Sequence, residues 1–157
     1  MSFYLDNSVL VPLFVAEARS EAIQHWLEEC ERPVHVSDLA ISEFNATMSG
    51  LVRTKDYSRE QARAQAAAFE RWRLEFAEPT ENLPVDVRLA SKLVAEPFPK
   101  LLTPGAIHLA TCKRMELTLV SDDKRLIEIA GRLSVDVISP PSIRVEEEPQ
   151  PRLKPPR

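Results

Sequence analysis

A three-layer α/β/α sandwich built on a mostly parallel central sheet is the fold this sequence predicts, and two observations predict it. Four short apolar segments, FYLD, VHVS, LTLVS and VDVIS, alternate along the chain with longer segments of helical periodicity. Strands separated in this way pair in parallel, and the intervening helices cover both faces of the sheet. A length of 157 residues suits one domain with a sizeable core. Its 44% hydrophobic and 28% charged residues are ordinary for a globular chain.

The elements follow in order. FYLD, residues 3–6, reads as a buried strand running directly into a helix capped by Asn7 or Ser8. From Ser20, the apolar residues Ala22, Ile23, Trp26 and Leu27 recur at helical spacing until Pro33 interrupts. VHVS forms the second strand, and Ser37 or Asp38 caps a helix through Leu39, Ile41, Phe44 and Met48 toward Val52. Ser58 with Gln61 three residues later has the form of a capping box. The long helix it opens, to about Ala77, has an apolar face of Ala62, Ala66, Phe69, Trp72 and Phe76. Val85 to Ala95 fits another amphipathic helix, with Val87, Leu89, Ala90, Leu93 and Val94 as core candidates and Pro97 and Pro99 ending it. Thr103 and Pro104 open a helix through Met115, since proline suits a first helical position. LTLVS, the helix DKRLIEIAGRL and the strand VDVIS complete the fold at Ser139. From residue 140 the character changes: PPSIRVEEEPQPRLKPPR holds nearly half of the 13 prolines, with charges and few apolar residues. Such a segment cannot bury enough surface to offset ordering entropy, so residues 140–157 are expected to be a flexible tail after a domain of residues 1–139.

Several function classes are excluded. No apolar run approaches the roughly 18–20 residues that span a bilayer, and no signal peptide opens the chain, which places it in the cytoplasm. Cys30 and Cys112 stand in no zinc-type spacing and read as small buried hydrophobes. With only Gly50, Gly105 and Gly131, the chain has no P-loop or dinucleotide fingerprint. A net charge of −4 argues against a protein that coats nucleic acid through bulk positive charge.

Acidic residues carry the functional signal. Asp6 closes the first strand and Asp123 follows LTLVS, so both belong at the carboxyl edge of the sheet, where ligands of parallel α/β folds collect. Glu43, early in its helix between Ile41 and Phe44, reaches the same crevice if that helix packs over the edge. Convergent carboxylates of this kind hold a hard divalent cation, which supports phosphodiester hydrolysis by activating water and neutralising phosphate charge. Each acid also has a plainer reading: Asp6 and Asp123 as helix caps, Glu43 as a salt-bridge partner. Asp122 is a weaker ligand candidate, Ser8 and Ser121 are hydroxyls placed to support the acids, and His108 reads as a packed, hydrogen-bonded histidine. Lys124 and Arg125 are candidates for phosphate contact. Arg53, Lys55, Arg59 and Arg63, at a helix junction, are candidates for a basic rim. Acids at strand ends also mark phosphoacceptor domains, but that class needs an aspartate ending the middle strand. Only Asp38, a helix-cap position, is available.

Taken together, YLDNSVLVPLF, VSDLAISEFNA and GAIHLATCKRMELTLVSDDKRL resemble the motifs of the PIN-domain family, and within it the ribonuclease toxins of bacterial VapBC toxin–antitoxin modules. The resemblance runs from about Ser2 to Ser139. It implies a metal-dependent endoribonuclease in which Asp6, Glu43 and Asp123 hold Mg2+ or Mn2+ and catalyse hydrolysis of an RNA of the tRNA or rRNA class. A cognate antitoxin protein and a homodimer are implied with it. The chain departs from the family at Gly105, where an aspartate is expected before the AIHLA run. Glycine supplies no ligand and weakens a helix by about 1 kcal/mol relative to alanine. Three readings follow: an attenuated nuclease, a catalytically degenerate PIN scaffold that binds antitoxin or RNA, or a site completed by Asp122.

Overall fold

In the computed structural model, which describes residues 1–97 and 100–140, five parallel strands form one sheet in the order β3-β2-β1-β4-β5. The strands are β1 (Phe3–Leu5), β2 (Val34–Ser37), β3 (Ala77–Thr80), β4 (Thr118–Val120) and β5 (Val137–Ile138). The helices are α1 (Asn7–Phe14), α2 (Ser20–Glu28), α3 (Asp38–Arg53), α4 (Arg59–Phe76), α5 (Pro84–Ala95), α6 (Thr103–Met115) and α7 (Lys124–Arg132). Strand alternation assigns each face its own core. Leu5, Val120 and Ile138 pack with Val9, Leu10, Phe44 and Phe69 under α1 to α4. Tyr4, Leu119 and Val137 pack with Leu109, Cys112, Leu126 and Ile129 under α6 and α7. The result is the expected three-layer α/β/α sandwich. Both cysteines are free, Cys112 buried and Cys30 partly so.

Local chemistry explains most of the boundaries. Ser58 and Gln61 make both bonds of the capping box, and Ser37 caps α3 by accepting from the Ala40 N–H. Four details differ from expectation. Asp6 caps α1, as its plainer reading held, in place of Asn7 or Ser8, because its carboxylate accepts from the Ser8 N–H. AEPT was not legible as a strand, yet β3 pairs with β2 from Ala77 to Thr80. It is an edge strand, the place where Pro79 costs no ladder bond. Phe76 and Val87, expected in the core, are 61% and 48% exposed; Phe76, the last residue of α4, stands at an open groove beside Leu27 and Trp72. No described helix is long and apolar enough to cross a membrane. Pro99 and the proline-rich segment beyond Pro140 lie outside the described residues.

Strand order fixes where a site can form. The chain moves outward from β1 through β2 to β3, then returns to place β4 on the other side of β1. Connections therefore diverge beyond the carboxyl ends of β1 and β4, which leaves a crevice there.

Candidate functional site

That crevice is a pocket of about 230 Å3. Asp6, Ser8, Glu43, Gly105, His108, Asp123 and Arg125 contribute to its wall, as do Asn7, Leu101, Leu102, Pro104 and Leu126. The three acids proposed from sequence thus come together around one space.

Asp6 is its most constrained member, with only 4% of its surface exposed. Ser8 Oγ and the Ser8 N–H donate to Oδ1 at 2.5 and 3.0 Å, and Ser121 Oγ donates to Oδ2 at 2.5 Å. Those hydroxyls are themselves oriented. Ser8 Oγ accepts from the Asp122 N–H at 2.8 Å, and Ser121 Oγ accepts from the Asp123 N–H at 3.1 Å. The turn after β4 is therefore tied to the carboxylate at the end of β1. All these donors are neutral. Burial holds the Asp6 carboxyl above the ordinary carboxylate range, and the bonds from Ser121 and Ser8, with the nearby His108 ring, lower it only in part.

Glu43 projects from α3, 27% exposed, and its Oε2 lies 2.6 Å from His108 Nε2. On its other side the His108 ring meets Tyr4, whose hydroxyl is 2.6 Å from Nδ1 and 2.6 Å from Ser37 Oγ. Asp123 caps α7, accepting from the N–H groups of Arg125 and Leu126. It is thus both a cap and a pocket residue.

Asp122 is placed elsewhere. It pairs with Arg19 through Nε at 2.8 Å and Nη2 at 3.1 Å, accepts from Ser139 Oγ at 2.5 Å, and is not among the residues around the pocket. Arg19 also bonds the Pro140 carbonyl, so Asp122 secures the end of the fold. Arg53, Arg59 and Arg63 gather at a separate groove over Met48 and Val52. Ten residues along α3 from Glu43 to Arg53 amount to roughly 15 Å.

Sequence reasoning took Asn7 for a helix cap, not a pocket residue, and did not single out the apolar wall of Leu101 and Leu102. Asn7 Nδ2 donates to Thr47 Oγ1, while its side-chain carbonyl is buried without a hydrogen-bond partner among the described residues. Its position directly after Asp6, in the first turn of α1, was the available signal. For His108 the signal was its place one turn after Gly105 on α6, on the pocket side.

An oxygen-rich pocket with an orphaned carbonyl and a buried carboxylate lacking a cationic partner fits a hard divalent ion. Among the described residues no three of histidine, cysteine, aspartate and glutamate are grouped so as to enclose one. The fit is therefore to a largely hydrated ion held by one or two carboxylates, as Mg2+ commonly is. Position 105 accounts for part of this openness. It is the third residue of α6, and a Cβ there would lie 3.1 Å from Leu126 Cδ1 and 3.4 Å from Leu101 Cδ1. A Cβ is accommodated there once the end of Leu126 gives by a few tenths of an ångström.

Comparison with known proteins extends the picture. The PIN domain family model matches residues 3–132. Ribonuclease VapC35 of Mycobacterium tuberculosis is 31% identical over 146 residues, covering 90% of this chain and 98% of that protein. Among solved structures, M. tuberculosis VapC20, a sarcin–ricin loop cleaving toxin, superposes with a TM-score of 0.66 at 17% identity, covering 82% of this chain and 95% of that one. A toxin–antitoxin complex from Klebsiella pneumoniae gives 0.62 at 22% identity, with coverage of 90% and 100%. Both structures share the fold with this chain.

Proposed function

Because the chain belongs to the PIN-domain family, in its VapC ribonuclease branch, we propose that this pocket is the metal-dependent centre of an endoribonuclease toxin that hydrolyses RNA phosphodiester bonds. One observation carries the reading. Asp6 is buried, its hydrogen-bond donors among the described residues are neutral, and it faces the same space as Glu43 and Asp123. An anion kept in that state lacks the partner that would offset its desolvation, and a bound cation is such a partner.

Asp6, with one of Glu43 and Asp123, would hold a largely hydrated Mg2+ or Mn2+, both of which accept oxygen ligands, and the remaining acid would meet the ion's waters. When bound, the ion supplies an activated water and neutralises charge on the scissile phosphate. Ser8 and Ser121 keep both Asp6 oxygens directed, and the cap geometry of Asp123 fixes the third acid at the pocket's edge. Arg125, on the first turn of α7, offers a guanidinium to an adjacent phosphate. The more distant Arg53, Arg59 and Arg63 can meet RNA that extends past the site.

The proposal includes a tRNA- or rRNA-class substrate and action in the cytoplasm, where such RNA is found. It also includes a cognate antitoxin that covers the pocket; a protein of the same fold stands in a toxin–antitoxin complex from Klebsiella pneumoniae. A homodimer belongs to the same reading, and exposed Leu74, Phe76, Val85 and Val87 give apolar surface to such contacts. Gly105 favours attenuation, since it leaves the pocket one carboxylate short of the family pattern. Asp122, engaged by Arg19, does not make up the difference.

The deciding experiment is Mn2+-dependent cleavage of total tRNA and rRNA by the chain and by its Gly105→Asp variant, both free of antitoxin. Cleavage by the variant, with weak cleavage by the parent, is the expected result. If neither protein cuts RNA or binds Mn2+, the nuclease reading fails and the degenerate binding scaffold replaces it.

A further inference from the structure

We infer that His108 is the positioning residue of Glu43, holding its carboxylate toward the pocket through a relay that begins at the N-cap of α3. This rests on the proposed nuclease reading for its consequence, though not for its geometry.

One end of the relay is fixed by chemistry: a carboxylate only accepts, so the ring nitrogen that meets Glu43 carries a proton. Ser37 Oγ accepts from the Ala40 N–H at 3.2 Å, and in the arrangement inferred its own proton goes to the Tyr4 oxygen 2.6 Å away. A phenol is protonated at neutral pH, and with Ser37 donating to its oxygen the Tyr4 hydrogen is directed at His108 Nδ1, 2.6 Å away. A ring that accepts at Nδ1 carries its proton on Nε2. That proton points at Glu43 Oε2, 2.6 Å away.

The relay is buried at every member except its last. Tyr4 and Ser37 are fully buried and His108 is 3% exposed, whereas Glu43 reaches the pocket. Tyr4 stands on β1, Ser37 ends β2, and His108 lies on α6, so three elements converge to fix one carboxylate on a fourth, α3. Burial alone requires both ring nitrogens of His108 to be engaged; what sets it apart is that the partner of Nε2 is an acid that reaches the pocket. This one joins the sheet to a pocket acid, as outer hydrogen bonds commonly orient a metal-binding carboxylate.

Two substitutions separate positioning from packing. The Gln amide nitrogen reaches the place of Nε2, whereas the Asn amide reaches that of Nδ1. His108→Gln can therefore keep the donor to Glu43, and His108→Asn keeps only the Tyr4 side. Positioning predicts that Mn2+ affinity and RNA cleavage stay within about threefold of the parent in His108→Gln and fall roughly 10–100-fold in His108→Asn. Thermal stability should drop similarly in both. Without metal, long-range 15N–1H spectra of the parent should show His108 as the Nε2–H tautomer, its proton protected from exchange. Glu43→Ala should remove that protection. A parent protonated on Nδ1, or equal Mn2+ affinities for the Gln and Asn variants, would overturn the inference. Should the parent neither cut RNA nor bind Mn2+, the nuclease reading fails alone. The tautomer and its dependence on Glu43 then still decide the geometry.

Discussion

Two buried aspartates, Asp6 in the pocket and Asp86 between α5 and α6, face nearly the same burial and resolve it in opposite ways. Asp6 is 4% exposed and Asp86 1%. Asp86 receives Arg114 Nε at 2.8 Å and Nη2 at 2.9 Å, and the Leu83 N–H at 2.8 Å. Burial pushes the Asp86 carboxyl up, but the bonds and charge of Arg114, with the Leu83 N–H and Thr111, together outweigh it and hold the group below the ordinary carboxylate range. Asp6 receives hydroxyls and one amide, and burial leaves its carboxyl above that range. The fold compensates the aspartate that holds two helices together and leaves the pocket aspartate without a cation. That difference separates a structural acid from one kept for a ligand.

The contrast can be broken most severely at the structural pair. Arg114→Met leaves Asp86 buried and unpaired, and should cost about 3 kcal/mol in denaturant unfolding. Adding Asp86→Leu to Arg114→Met should restore most of that loss, since an apolar pair of similar volume replaces the ions. At the pocket the sign reverses. Asp6→Asn keeps a good helix cap and removes an uncompensated charge. Metal-free stability should hold or rise by about 1 kcal/mol, while RNA cleavage falls at least 100-fold, beyond the range typical of outer-shell changes.

Gly105→Asp sharpens the comparison by adding an acid to the uncompensated site. Cleavage should increase roughly 10–100-fold, measured at saturating Mn2+. Its helix should tolerate the change, because position 105 lies in the first turn of α6, where a carboxylate is favoured. The smallest effect concerns pH. A depressed folded value means that the stability from Asp86 is present above its unfolded value and is lost as pH falls through the folded one. Parent melting temperature should therefore fall on acidification below the ordinary carboxylate range. In Asp86→Asn that part of the slope should vanish.

The sequence made the layers legible because caps and periodicity act locally: Ser58 with Gln61, Ser37 before α3, and proline at the start of α6 each name a boundary. It also brought Asp6, Glu43 and Asp123 to one edge, since strand ends in a parallel sheet share a side. What stayed hidden depended on partners far along the chain. AEPT lacks strand composition and pairs only because β2 offers an edge. The tie between Asp122 and Arg19 spans 103 positions, and that between His108 and Glu43 spans 65. A free carbonyl on Asn7 is visible only when the whole pocket is assembled.

The most direct test of the central claim, that the pocket leaves Asp6 uncompensated for a divalent cation, is the melting temperature of the parent and of Asp6→Asn across a Mn2+ titration. The account predicts that the parent rises with Mn2+ in a saturable way, as ligand linkage requires, and that Asp6→Asn does not. A parent that fails to respond, or a variant that responds equally, would contradict it.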